Sequence, residues 1–412
     1  MTYQDDSPTH SNEILDNASR GPKILFDAST SRVDDSTREP GLILTKDQIK
    51  NIKRYEMVGL KLPTELKDVI TYLGYEKGAG RGLEAVDFKQ TFTTVRDHAA
   101  TWNPLRNELQ TIGSRLNVTA GKMLIFGDGV EEVYEEIKSG SLKKYNIKTL
   151  EELKKVELEF SDSLSVLELD AEDKETVKEF GYCLDRISAL VNERRAEADQ
   201  LKVQLDKFSY ELINTVYKAV QFRLSAINNN TLEAEVKALK LLIEQRAQDI
   251  DDKTKEYNDL VKKALGSATT LNIAGVAMSI YLGVKAENIR KDRNEMRADQ
   301  ARDVAVMNTK HAILGRLNTV RMDLQDLDMI IIDADIATKN LVAVWNNIGL
   351  YIEASSNAVD AITDELKLFR FMIEFRMVIT PWNDIKDDTR ELLEVFKQAD
   401  DEFRIEYEQQ GA

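Results

Sequence analysis

Between residues 232 and 260 the apolar side chains keep one rhythm. Leu232, Val236, Leu239, Ile243, Ile250, Tyr257 and Leu260 fall three, four or seven residues apart. That spacing lines one face of a helix and forms a heptad seam. Arg246 and Lys253 occupy two seam positions between them. A seam with charged interruptions predicts an exposed two-helix arm in preference to a buried core helix. Its partner is predicted at residues 286–303, more than half of which are charged, too many to bury a face in a large core. Paired antiparallel with residues 232–262, this segment gives a stalk of about 30 residues, roughly 45 Å at 1.5 Å per residue.

The remaining pattern predicts helices almost throughout. Thr45 with Gln48 offers a capping box for a helix to about Val58, and Pro63 opens a second that ends near Gly74. Gly74 to Gly82 is predicted as a loop. Helix resumes from Asp87 to about Leu116 with a break near Pro104, and Gly127, Asp128 and Gly129 are predicted to form a turn. A helix covers Val130 to about Lys138, and Thr149 opens another. From about Ala171 to Lys263 helix is almost continuous, with a kink or cap at Asn228, Asn229 and Asn230. Beyond Ile313 apolar density returns and helix is predicted towards Ala354. Thr380 and Pro381 separate an apolar helix, Asp364 to Val378, from an acidic one, Asp384 to about Glu408. Residues 1–40, rich in Ser, Asp, Thr and Asn with three prolines, are predicted to be a loosely draped tail.

One stretch departs from the charged pattern. Ala264 to Val284 carries no charge over 21 residues, enough as a single helix to cross a bilayer core. Lys262, Lys263 and Lys285 flank it. Only eight of its residues are Leu, Ile, Val or Met, and Asn272 lies near its middle. Three readings fit: a buried hairpin tip, a permanent membrane anchor, or a tip that enters lipid conditionally. The Ser, Thr and Asn content weakens the anchor. The charged arm on either side offers little to bury the tip, so the conditional reading is preferred. As a hairpin, each leg has only about ten residues and reaches roughly 15 Å, half the hydrocarbon thickness. The residues expected to meet the membrane are Leu265, Leu271, Ile273, Val276, Met278, Ile280, Tyr281, Leu282 and Val284. Gly275, Ser279 and Gly283 recur every four residues, a stripe that permits close helix packing in lipid.

Composition narrows the class. The 412 residues include six prolines, none between Pro104 and Pro381, which permits very long helices. Charged residues make up 31% and glycine is sparse, as in long-helix proteins. The net charge of −16 disfavours a nucleic-acid partner and plain electrostatic adhesion to anionic lipid, and it favours solubility. A single cysteine, Cys183, rules out an intrachain disulfide and reads as a core residue. The polar, acidic N-terminus shows no recognisable signal peptide.

Catalytic chemistry finds little support. His10, His98 and His311 lie far apart in sequence, and none has a zinc-type ligand at helical spacing. Asp326, Asp328, Asp333 and Asp335 lack the glycine and spacing of an EF-hand and are read as a solvated helix face. Gly78 to Gly82 lacks the Lys and Ser/Thr of a phosphate loop. Neither an enzyme, a cofactor nor a small-molecule substrate is expected.

The arrangement is therefore predicted to be all-α and elongated. A polar tail (1–40) precedes a helical bundle built from 41–230 and 317–412. An antiparallel coiled-coil stalk (231–263 and 285–316) ends in the weakly apolar tip (264–284). This organisation, with its polar tail, proline-free middle and short tip, resembles the A components of alpha-xenorhabdolysin-type binary toxins. These belong to the cytolysin A-like α-helical pore-forming toxins. The resemblance covers nearly the whole chain. It implies a soluble protein, secreted without a cleavable signal, that becomes associated with a host-cell membrane. It also implies a second component, B, whose heterodimers with A assemble into a ring-shaped lytic pore. In that family A helps B attach or insert, and B supplies the longer transmembrane hairpin. No catalytic residues carry over; the apolar tip does. A self-sufficient pore former and a coiled-coil docking protein are the alternatives.

Overall fold

The computed structural model describes residues 8–30, 40–77, 80–138, 140, 142–145, 147–159, 167–228, 232–267 and 273–410. Among these, side chains are described except at 8–11, 144, 264–284, 286–287 and 407–410. The chain is all-α. In order come α1 (Pro8–Ser29), α2 (Lys46–Leu60), α3 (Leu66–Leu73), α4 (Ala85–Ala100), α5 (Trp102–Glu136), α6 (Leu150–Glu159), α7 (Ala171–Lys178) and α8 (Phe180–Glu211). A π-helical turn, Leu212–Tyr217, leads into α9 (Lys218–Ala226). Then follow α10 (Ala234–Ser267), α11 (Ile273–Lys310), α12 (Ala312–Ala358), α13 (Glu365–Ile379) and α14 (Trp382–Gln410). The one β feature among the described residues is an isolated bridge between Glu168 and Asp364.

Local chemistry explains many of the ends. Thr45 caps α2 in a reciprocal box: its hydroxyl accepts from Gln48 N, and Gln48 Oε1 accepts from Thr45 N at 2.9 Å. Thr149 and Glu152 form the same arrangement ahead of α6. Gly74 ends α3 at φ 81°, a left-handed conformation that glycine adopts without a Cβ penalty. Pro104 lies in the first turn of α5, where its missing N–H costs no helical bond. The interruption falls just before it, at Thr101.

Three expectations are corrected. Gly127 and Gly129 form no turn; both lie inside the 35-residue α5. A Cβ on Gly127 would stand 2.5 Å from Ile379 Cγ2, and one on Gly129 3.0 Å from Cys183 Sγ. These glycines let α13 and α8 approach α5 closely. Gly127→Val is expected to destabilise the fold by about 1–3 kcal/mol through overpacking, read as a lower urea midpoint.

The N-terminal tail is the second correction. Residues 8–29 form α1, which buries Leu15, Ala18, Leu25 and Phe26 and packs on α11, α12, α13 and α14. Those apolar positions repeat with helical period, and tertiary packing overrides a composition that looks loose.

The third concerns the stalk. α10 and α11 pair antiparallel as expected, but they do not stand free. α12 turns back at His311 and lies along both of them. At 47 residues, α12 spans about 70 Å and is the spine of the molecule. Its first half meets the hairpin and α2. Its second half enters the main core with α8, where Trp345 stacks on Trp382 at 5.7 Å between ring centroids. Phe371 stacks in turn on Phe180 and Phe375 nearby.

Candidate membrane-contact hairpin

The hairpin is built from complementary heptads. Val236, Ile243, Ile250 and Tyr257 of α10 are buried. The two charged seam positions find their partners on α11. Arg246 pairs with Asp299 at 2.8 Å and Asp303 at 2.7 Å, and Lys253 with Asp292 at 3.8 Å. Lys310 reaches Glu235 at 2.6 Å near the hairpin's base. The charges that interrupt the heptad are thus what set the register of the pair.

Helix α10 continues to Ser267 and α11 starts at Ile273. The uncharged run therefore divides unequally. Only residues 264–267 prolong α10, whereas 273–284 open α11 and span about 18 Å. Leu271 lies outside the described residues. So do the side chains of Leu265, Ile273, Val276, Met278, Ile280, Tyr281, Leu282 and Val284, together with Ser279 and the surroundings of Gly275 and Gly283. Lys262, Lys263 and Lys285 are exposed at the base of the tip. Among the described residues, no helix is long and apolar enough to cross a membrane.

Beneath the tip, α10, α11 and α12 share a polar interior. Arg293 of α11 is 2% exposed. Its Nε donates to Thr254 Oγ1 of α10 at 3.0 Å, its Nη1 to Asp326 Oδ1 of α12 at 3.3 Å, and its Nη2 to the Gln325 carbonyl. Arg297 pairs with the other oxygen of Asp326. One level nearer the tip, Tyr257 OH donates to Asp333, which also accepts from Gln48 of α2 and faces Arg290 at 3.6 Å. One level nearer the base, Gln325 Nε2 donates to the Ala247 carbonyl and to Asp251 at 2.7 Å, and Asp251 accepts from Tyr217 of the π turn at 2.8 Å. Asp326 and Asp333 are thus buried and ion-paired, not a solvated face. The signal for this was present in the sequence: the aspartates are seven residues apart, and Arg290, Arg293, Arg297 and Gln300 recur at steps of three and four.

Asp323 is also buried on α12. Burial and the neighbouring Asp326 push its carboxyl up to about 7, against the opposing pull of Arg297 and Arg54. A carboxyl raised on folding contributes stability below its unfolded value near 4, and that contribution is lost as pH rises through about 7. Asp323→Asn removes the titration. Wild type is therefore expected to lose on the order of a few kcal/mol relative to this variant between pH 4 and pH 8, measured by denaturant midpoints.

The other titratable candidates have structural places. His98 is buried, with Nδ1 2.8 Å from Tyr55 OH and Nε2 3.1 Å from the Phe208 carbonyl, and burial lowers its pKa. His311 caps α12, its Nδ1 accepting from Leu314 N. Cys183 is buried, which pushes its thiol up. Among the described residues no group of three His, Cys, Asp or Glu side chains is placed to hold a metal.

No protein-family model and no curated protein sequence matches this chain. Solved structures do. Soluble SmhA, of the tripartite alpha-pore forming toxin Smh from Serratia marcescens, is 12% identical over 93% of this chain and 96% of that one, with a TM-score of 0.52. YaxA from Yersinia enterocolitica is 23% identical over 88% of this chain and 99% of that one, at a TM-score of 0.47. XaxA from Xenorhabdus nematophila is 21% identical with the same coverage, at 0.44. At these identities the likeness is one of fold, and it is the SmhA match that carries it: both chains are all-α over nearly their full lengths.

Proposed function

We propose that this chain is one component of a multi-component α-helical pore-forming toxin. The observation that carries the reading is a charged helical hairpin with an uncharged run at its turn, set on a fold shared with a soluble component of a tripartite α-pore-forming toxin. The protein is secreted and soluble, meets target-cell lipid through residues 264–284, and assembles with a B component into a ring-shaped lytic pore. Lys262, Lys263 and Lys285 sit at the headgroup level. The unequal division of the tip supports the need for a partner. A leg of about 18 Å covers just over half of a hydrocarbon core about 30 Å thick, and the α10 side adds a single helical turn. The chain so dips into the bilayer, and a second protein supplies the crossing.

Reconstitution tests this. The protein is added to dye-loaded vesicles and to host cells, with and without a co-encoded helical protein carrying a longer apolar hairpin. Release only with both proteins is expected. Release by this chain alone would favour a self-sufficient pore former. No release and no lysis under either condition ends the toxin reading and leaves a docking role.

A further inference from the structure

We infer that the α10–α11 hairpin is a separable unit that parts from α12 along their buried polar seam. In consequence, and here the inference rests on the function proposed above, that seam governs when the tip is presented to a membrane.

Four features support it. First, the surface between the hairpin and α12 is polar at its centre. Arg293, Gln300, Arg321, Asp323, Gln325 and Asp326 are all buried there. Several of their atoms make no hydrogen bond among the described residues: Gln300 Oε1, Arg297 Nε, Arg321 Nε and Asp323 Oδ2. A permanent interface gains from apolar packing at such positions, because desolvating an Arg–carboxylate–Arg triad offsets much of its attraction. On parting, these groups regain water, so the open state costs less than opening an apolar core.

Second, the packing is incomplete. A cleft of about 310 Å³ enters the seam beside the π turn, lined by Tyr217, Asp251, Thr254, Gln325 and Asp328. Towards the tip, Tyr257, Val261, Ile289 and Met329 form an apolar cluster separate from the main core.

Third, the hairpin has bonds of its own that survive parting. The Arg246–Asp299–Asp303 and Lys310–Glu235 pairs join α10 to α11 without α12. Val304 and Met307 are buried along the same stretch of α11.

Fourth, helix breaks bound the unit at its base. Ile227 ends α9 in an extended conformation (φ −71°, ψ 113°), and His311 separates α11 from α12 (φ −152°, ψ 90°). α12 remains anchored in the main core through its second half. α1, which packs on both α11 and α12, parts from α11 in the same movement.

Hydrogen exchange on the full-length protein, read by mass spectrometry, tests the unit. Asp326→Asn keeps the shape but removes the charge between Arg293 and Arg297. Exchange at 236–261 and 289–310 is expected to rise together by tenfold or more, while α12 residues 337–358 stay unchanged. The triple variant R293M/R297M/D326L replaces the triad with apolar groups, and exchange in the hairpin is expected to slow by tenfold or more. If Asp326→Asn speeds exchange equally in 337–358, or if neither variant moves the hairpin, the unit does not exist. Vesicle binding by the same proteins separates the two claims. Exchange that follows the expectation with vesicle binding unaltered upholds the separable hairpin and overturns the membrane role of its tip.

Discussion

Replacing Ile273 and Val276 together with Asp is expected to abolish binding to lipid vesicles while leaving the protein soluble and helical. Both residues lie in the first turn of α11, on the longer leg of the uncharged run. Each aspartate costs about 2.5–3.5 kcal/mol at the centre of an inserted helix, so the pair opposes insertion by roughly 5–7 kcal/mol. Each 1.4 kcal/mol is a factor of ten, which takes even strong vesicle association below detection. Flotation with vesicles measures the loss, and circular dichroism checks the fold. Alanine at the same positions is the control, because it shortens the apolar surface without adding charge. A double aspartate variant that still floats with vesicles would remove the tip from the membrane contact.

The second large effect is expected in the main core. Trp345 and Trp382 are buried to 1% and 0% exposure and stack between the second half of α12 and the start of α14. Trp345→Ala is expected to cost about 3–5 kcal/mol, as large-to-small changes at buried aromatics do. The residue joins the spine helix to the C-terminal helix, so the loss should appear as a lower denaturant midpoint for the whole body. A polar substitution within the hairpin seam, such as Asp326→Asn, should behave differently and loosen the hairpin before the body. An equal midpoint for wild type and Trp345→Ala would mean that the core tolerates the cavity by collapse.

Much of the architecture was legible because it rests on local chemistry. Thr45 and Gln48 satisfy each other's backbone donors wherever the helix is placed. Gly74 supplies a positive φ that few other residues adopt, and the heptad from Leu232 to Leu260 needs only a partner helix with complementary charges. The misreadings share one cause. Gly127 and Gly129 have the composition of a turn, but whether a glycine bends a chain or admits a neighbouring helix depends on what lies opposite, here Ile379 and Cys183. The N-terminal segment has the composition of a tail, yet Leu15, Ala18, Leu25 and Phe26 find a groove made by helices more than 240 residues away in sequence.

The sequence alone determined the all-α class, the pairing of α10 with α11 and the position of the uncharged run. These follow from helical period, heptad spacing and the absence of charge, and all three are properties of neighbouring residues. Only the tertiary structure decided that the hairpin lies along α12 and that Asp326 and Asp333 are buried between arginines. It also decided that the tip divides into one short leg and one long one. Those outcomes depend on which helix turns back at His311 and on which faces then exclude water, and burial is a property of the whole packed chain.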